Sequence, residues 1–150
     1  SYISDAQVSI PGYAVLRADR EIKIGGGCLL YVNEEIPITK QFSWSDKQTS
    51  VVTAFSEEHN LLLRCVYRPP DANESSFGEA MRRLQEEIES VHNPGEEPEI
   101  ILLGDFNLPE MNWECLNTRN GGAKGPYQQT LELINENFLE QLVKSPTDEG

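Results

Sequence analysis

EIILLGDFNLP, residues Glu99–Pro109, is the stretch of sequence that says most about how this chain folds. Four consecutive apolar residues after Glu99 predict a strand that is buried on both faces. Side chains alternate along a strand, so Asp105 and Asn107 should emerge on one side at its carboxyl end, with Phe106 turned into packing. A carboxylate beside an amide supplies oxygen ligands for a hard cation and a donor for a phosphate oxygen. A turn that only ends the strand is the alternative interpretation.

Length and composition describe one globular domain. The chain has 150 residues and 38% hydrophobic content, which is enough for a single core. Its mean hydropathy of -0.47 is typical of a soluble chain. No apolar run approaches the ~20 residues of a membrane span, so we expect no membrane partner. The first residues, Ser1–Asp5, carry neither an initiator Met nor a signal-peptide pattern, which predicts a fragment.

The three cysteines, Cys28, Cys65 and Cys115, lie far apart and lack the paired spacing of a zinc site. Cys28 and Cys65 fall in apolar, strand-like runs and are predicted to be core thiols. An odd and sparse cysteine count is typical of a reducing compartment. We therefore expect an intracellular protein, located in the nucleus or the cytoplasm.

The net charge of the chain is -13, from 12 basic and 25 acidic residues. Taken alone, this charge disfavours nonspecific binding to nucleic acid, which depends on cations that meet phosphates. Much of the acid, however, is concentrated in predicted helices, where such runs usually form solvated faces. The charge therefore weakens a nucleic-acid interpretation and does not exclude it.

Periodicity predicts a mixed α/β domain with largely antiparallel strands. Ser76 and Glu79 have capping-box spacing at the start of an amphipathic helix. The order β-β, β-β, α, β, α fits this class better than a doubly wound sheet. The predicted elements are strands over Tyr13–Ala18, Gly27–Asn33, Thr49–Phe55, Leu61–Tyr67 and from Glu99, and helices from Ser76 to Val91 and from about Tyr127 to Phe138.

Gly25-Gly26-Gly27 is a glycine cluster directly before a predicted strand. It is not a phosphate loop, because no helix follows it and neither the dinucleotide fingerprint nor a Lys-Ser/Thr pair is present. We expect a tight turn that enters the strand. Arg17, Arg20 and Lys23 lie close in sequence and either meet phosphates or stay solvated.

Tyr67 ends its strand directly before Arg68-Pro69-Pro70, a rigid segment that cannot continue a central strand. The hydroxyl of Tyr67 either points into a cleft or packs in the core. His59 is predicted in a hairpin turn and His92 at a helix end. Neither histidine has a local base, nucleophile or metal-ligand pattern, so we expect no catalytic role for them.

The ordered set of Val66–Pro70 (VYRPP), Gly104–Pro109 (GDFNLP) and Trp113 resembles the endonuclease/exonuclease/phosphatase superfamily. More narrowly, it is similar to the apurinic-type endonuclease domain of non-LTR (LINE-like) retrotransposons. The likeness covers nearly the whole chain, and the ordered set is more specific than Gly-Asp-Phe-Asn alone, which phosphatases and nucleases share. Further similar segments are Gly12-Tyr13, Arg17, Asp19-Arg20, Gly25-Gly26-Gly27, Tyr31-Val32, Leu142-Val143 and Pro146-Thr147.

The resemblance implies a DNase I-like fold, a four-layer α/β (α+β) sandwich of two packed, mixed and mostly antiparallel sheets flanked by helices. Residues 1–150 would then be one truncated, partial domain of this kind. The implied activity is hydrolysis of a phosphodiester in DNA by activated water and one divalent metal, Mg²⁺ or Mn²⁺. The implied partners are DNA and a reverse transcriptase domain in cis.

The resemblance also implies roles for individual residues. Asp105 matches the aspartate that orients or deprotonates the attacking water. Asn107 matches the asparagine that contacts the phosphate or orients that aspartate. Tyr67 matches the tyrosine that donates towards the phosphate and its developing charge. Arg68 and Thr147 are predicted to bind substrate.

Parts of the family pattern have no counterpart in this sequence. The family's metal-binding Glu precedes the segment where this chain begins, and Glu21 comes too late to replace it. The terminal Ser-Asp-His motif is also missing. No residue is therefore assigned as a metal ligand, and we expect little or no nuclease activity from the isolated chain. A sandwich without its first and last strands would also expose sheet edges.

Three interpretations follow from the sequence. The first is a DNA-nicking endonuclease domain of a retrotransposon-derived polyprotein, which the Tyr67–Pro70 segment and Trp113 favour. The second is a phosphatase or phosphodiesterase of the same superfamily that acts on a small or lipid substrate. The third is a degenerate, non-catalytic remnant, which the net charge and the missing ligands favour.

Overall fold

The computed structural model describes residues 3–20, 26–118 and 125–143, and the chain divides into two units, Ser1–Phe106 and Asn107–Gly150. Thr147, Lys23 and Gly25, which the sequence analysis singled out, lie outside the described residues. The first unit holds α1 (Asp5–Val8), β1 (Tyr13–Asp19), β2 (Gly27–Asn33), β3 (Lys40–Ser45), β4 (Ser50–Ser56), β5 (Leu61–Tyr67), α2 (Glu74–Val91) and β6 (Glu99–Asp105), and the second holds β7 (Met111–Asn112), β8 (Asn117–Thr118) and α3 (Pro126–Glu136).

The central sheet of the first unit has the strand order β3-β4-β5-β6. β3, β4 and β5 are antiparallel neighbours, whereas β6 runs parallel to β5. The parallel pair is joined by α2, because parallel strands need a long crossover connection. β1 and β2 form a separate antiparallel pair. The prediction of a mixed, largely antiparallel α+β chain is therefore confirmed.

The two faces of the central sheet are covered by different elements. On one face, the β1-β2 pair packs against alternate residues of β4 and β5, and Cys28, Leu30 and Val52 are among the buried side chains of this cluster. On the other face lies α2, whose contact with the sheet is marked by Arg64 of β5. The apolar stripe predicted for this helix is buried, as the exposed fractions of Phe77, Met81, Leu84, Ile88 and Val91 show.

Helix α2 begins three residues earlier than the capping-box pattern predicts. Asn73 is the N-cap, and its side-chain oxygen accepts a hydrogen bond from the Ser76 backbone N–H at 2.8 Å. The Ser76 hydroxyl instead donates to the Thr49 hydroxyl at 2.7 Å, so a tertiary contact uses it. Glu79 does not complete a capping box either. Hydrogen bonds from the guanidinium groups of Arg82 and Arg83 lower the pKa of Glu79 to about 2.

A buried arginine lies in the middle of β5. The Arg64 side chain is 0% exposed and pairs with Glu87, which also accepts a hydrogen bond from the Thr53 hydroxyl at 2.7 Å. The Arg64 guanidinium also donates to the carbonyl of Ala80 at 2.9 Å. Burial lowers the pKa of Arg64 to about 10, which leaves it charged at pH 7. This cation is used inside the core and is not available to a ligand.

β6 differs from the prediction of a strand that is buried on both faces. Within the described residues it pairs only with β5, so it is an edge strand of the central sheet. Ile100, Ile101 and Leu102 are half-buried, and Leu103 is 44% exposed. The prediction of a strand is therefore confirmed, but the prediction that it is buried on both faces is wrong. Burial depends on the neighbouring strands, which the apolar run itself does not encode.

The second unit corrects the predicted end of the last helix and adds two short strands. The segment after Leu108 contains a small antiparallel pair, β7 and β8. Helix α3 begins at Pro126 and ends at Glu136, so Phe138 lies past the helix with a left-handed φ of 52° and 91% exposure. The predicted end of this helix, at about Phe138, is thus two residues too late. The buried side chains of α3 are Pro126, Thr130, Leu133 and Ile134.

The cysteines confirm the prediction of core thiols. Cys28 is buried and Cys65 is half-buried, and both belong to the cluster between β1-β2 and the central sheet. The Cys28 thiol donates to the Ser50 carbonyl at 3.1 Å. Its contact with Cys65 and its burial raise the pKa of Cys28.

No helix in the described ranges combines the length and the apolar character that crossing a bilayer requires.

Candidate active site

Tyr67 and Asp105 are the last residues of β5 and β6, and they occupy registered positions in the parallel pair. Registered residues of neighbouring strands point to the same face of a sheet, and the strands lie about 4.8 Å apart. Tyr67 packs on the face that β1-β2 covers, so the Asp105 side chain emerges on that face as well. The Arg68 backbone N–H continues the ladder by donating to the Asp105 carbonyl at 2.9 Å. Two predicted site residues are thus adjacent at the carboxyl end of the sheet.

Gly104 lies at a position where β5 leaves no room for a side chain on β6. Its φ is +150°, and a Cβ at this position would overlap the carbonyl oxygen of Val66 and lie 2.9 Å from its carbonyl carbon. Because the obstructing atoms are backbone, no side-chain rotation can relieve the overlap. The glycine before Asp105 is therefore a steric requirement of the β5-β6 pair.

The next residues turn to the opposite face of the sheet, which α2 covers. Phe106 packs edge-on against Phe77 with 6.4 Å between ring centroids, which confirms that it turns into packing. Arg68 is 7% exposed and lies over the same Phe77 ring at 5.7 Å. Its guanidinium donates to the carbonyls of Ala72 at 3.1 Å and Phe106 at 3.4 Å. Arg68 therefore lies behind the sheet from the Asp105 side chain, and its contact with substrate stays a prediction.

Arg20 contacts Tyr67, although its sequence position predicted either a phosphate contact or a solvated side chain. Its guanidinium carbon lies 5.7 Å from the centroid of the Tyr67 ring, and its Nη2 donates to the Lys47 carbonyl at 3.3 Å. Arg17, by contrast, pairs with Asp5 and Asp19. These two ion pairs raise the pKa of Arg17, the Asp19 contact most.

Gly26 lies next to the side chains of Arg20 and Tyr67. A Cβ at this position would lie 2.7 Å from Cε1 of Tyr67 and 2.9 Å from Cδ of Arg20, and its φ is +79°. Gly26 and Gly27 both have positive φ, and β2 begins at Gly27. Gly26 and Gly27 thus lead into the strand as expected, whereas Gly25 lies outside the described residues, and the lack of a side chain at Gly26 allows close approach to an aromatic ring.

Asn107 is the first residue of the second unit and has a left-handed φ of 46°. Asn tolerates this conformation better than most residues. Since β6 ends at Asp105, strand alternation no longer determines where the Asn107 side chain points. Strand alternation therefore does not support the prediction that Asp105 and Asn107 emerge on one side, and the predicted role of Asn107 stays a prediction.

The histidines lie away from this end of the sheet. His59 is in the turn between β4 and β5, and His92 caps the end of α2 with its Nδ1 3.2 Å from the Glu97 carboxylate. Both positions precede the start of a strand whose opposite end carries Tyr67 or Asp105. Among the described residues, no group of three or more His, Cys, Asp or Glu side chains could hold a metal ion.

A comparison with protein families matches a large part of the chain. Residues 61–149, more than half of its length, match the model of a family described as endonuclease-reverse transcriptase. The matched range starts at the first residue of β5 and includes Tyr67, Asp105 and Asn107. A search of curated proteins finds no match.

Proposed function

The chain belongs to the endonuclease-reverse transcriptase family, within the endonuclease/exonuclease/phosphatase superfamily, and from this premise we propose that it is a DNA-nicking endonuclease domain of a retrotransposon-derived polyprotein. The observation that supports this most strongly is the registered pair of Tyr67 and Asp105 at the carboxyl end of β5 and β6. The proposed partners are DNA and a reverse transcriptase domain in cis. We further propose the four-layer sandwich for the complete domain, and a nuclear or cytoplasmic location.

The proposed chemistry is hydrolysis of a phosphodiester. The water oxygen forms a new bond to phosphorus while the bond from phosphorus to the leaving sugar oxygen breaks, and that oxygen takes up a proton from solvent. The carboxylate of Asp105 accepts the proton of the water, and its exposure on the sheet face leaves it accessible to solvent. The hydroxyl of Tyr67 donates to a phosphate oxygen, where negative charge develops in the transition state.

Members of this family generally use a divalent metal ion. We propose Mg²⁺ or Mn²⁺ for the complete domain, in keeping with the hard oxygen ligands that such sites use. The described residues do not fit a metal site, since they contain no cluster of three or more candidate ligands. We therefore assign no metal ligand to any of them.

The remaining predicted residues take supporting roles in this proposal. Asn107 contacts the phosphate or orients Asp105, and Thr147 binds substrate. Arg68 supports the site from behind, because its guanidinium holds the Phe106 carbonyl directly after Asp105. A buried guanidinium with carbonyl partners suits such a bracing role better than direct contact with DNA.

The isolated 150-residue chain is expected to show little or no nicking, because it contains neither the family's metal-binding Glu nor the Ser-Asp-His motif. The measurement is relaxation of supercoiled plasmid in the presence of Mg²⁺. Robust Mg²⁺-dependent nicking by the isolated chain, abolished by Asp105→Ala, would contradict this expectation.

In a protein that contains the proposed complete domain, called here the full-length source protein, Tyr67→Phe is expected to slow plasmid nicking roughly a hundredfold, because it removes one donor to the developing charge. The matched control is Tyr31→Phe, which removes a tyrosine hydroxyl that donates to the Val8 carbonyl at 2.6 Å in the first unit. This control should lower stability slightly and leave nicking unchanged. Equal nicking rates for the two variants would remove Tyr67 from the proposed site.

A further inference from the structure

Arg20 is placed against Tyr67 by several independent contacts. It follows β1, and its guanidinium carbon lies 5.7 Å from the Tyr67 ring centroid. A hydrogen bond from its Nη2 to the Lys47 carbonyl, at 3.3 Å, ties the guanidinium to the segment before β4. The Tyr67 ring also packs against the core cluster beneath β1-β2. Arg20 and the core cluster therefore both contact the Tyr67 ring.

The backbone at Gly26 gives independent evidence for this packing. A Cβ at Gly26 would lie 2.7 Å from Cε1 of Tyr67 and 2.9 Å from both Cδ and Nη1 of Arg20. Arg20 and Gly26, which are close in sequence, thus both lie against Tyr67 at the end of β5, which is distant in sequence. Only a glycine leaves room for the other two side chains.

We propose that Arg20 is a positioning residue for Tyr67, which rests on the function proposed above. A guanidinium against an aromatic face is attracted by the ring quadrupole and limits the orientations of that ring. The Tyr67 side chain is on the same face as the side chain of its registered neighbour, Asp105. By holding the ring, Arg20 keeps the Tyr67 hydroxyl directed at a phosphate beside Asp105.

The contact is tested in the 150-residue chain without any need for activity. All five tyrosines are replaced by 3-fluorotyrosine, and the Tyr67→Phe variant identifies the Tyr67 fluorine signal. Arg20→Met should shift this signal more than any other tyrosine signal, and Arg20→Lys should shift it less. The matched control is Arg17→Met, since Arg17 pairs with Asp5 and Asp19 and should leave the Tyr67 signal in place. An unchanged Tyr67 signal in Arg20→Met would overturn the proposal.

The role is tested by plasmid nicking in the full-length source protein. Arg20→Met should lower kcat roughly tenfold with a smaller change in KM, and Arg20→Lys should recover part of the loss. A raised KM with unchanged kcat would overturn positioning in favour of phosphate binding. Wild-type nicking in Arg20→Met, with loss in Tyr67→Phe, would overturn the role of Arg20 alone. Unchanged nicking in both variants would overturn the proposed role of Tyr67 as well.

Discussion

Gly104→Ala is expected to destabilise the first unit by about 3–5 kcal/mol, the largest effect on stability that we predict for a single methyl group. The added Cβ would overlap the Val66 carbonyl oxygen, and the φ of +150° is itself unfavourable for alanine. Relief requires β6 to move away from β5. That movement would also separate Asp105 from Tyr67, so loss of stability and loss of the site should occur together.

The matched control for Gly104 is Gly95. It also has a positive φ, of +89°, but a Cβ there would meet nothing within 4 Å. Gly95→Ala should therefore cost only the backbone strain of about 1–2 kcal/mol. The measurement is urea-induced unfolding of both variants beside the wild-type chain. Equal losses for the two variants would show that the contact with Val66 does not constrain the strand.

The parts of the fold that local patterns encode were predictable from the sequence. The hairpin of β4 and β5 and the strand that ends at Asp105 each combine an apolar run with clear turn residues. β3 was missed, although Phe42 and Trp44 alternate with polar residues as a half-buried strand requires.

Features that depend on distant neighbours were not predictable in this way. The apolar run of β6 predicts a fully buried strand, yet the burial of β6 depends on which strands flank it. Arg64 reads as an interruption of an apolar run, and only the packing of α2 shows that Glu87 pairs with it. The contact of Arg20 with Tyr67 joins segments far apart in sequence. The sequence signal for this contact was the glycine cluster that contains Gly26, but a tight turn before the strand explains that cluster equally well.

Asp105→Asn is expected to reduce plasmid nicking by the full-length source protein by about 10²–10⁴-fold. The substitution keeps the size of the side chain and removes the group that accepts the proton from water. Asp105 is exposed at the end of an edge strand and asparagine can replace a carboxylate as a hydrogen-bond acceptor, so the thermal stability should change little. A large fall in stability would instead identify Asp105 as a structural residue.

The matched control for this variant is Glu99→Gln. Glu99 is an exposed carboxylate at the opposite end of the same strand, and it is registered with Leu61 at the start of β5. Its neutralisation changes the net charge by the same amount as Asp105→Asn. Because Glu99 is a strand length away from Tyr67, we expect it to leave nicking unchanged.

The most direct test is therefore the rate at which the full-length source protein nicks supercoiled plasmid with Mg²⁺, compared between Asp105→Asn and Glu99→Gln at matched thermal stability. We predict near-complete loss for Asp105→Asn and the wild-type rate for Glu99→Gln. Undiminished nicking by Asp105→Asn, or equal loss in both variants, would contradict a phosphodiester site built on Asp105 and Tyr67.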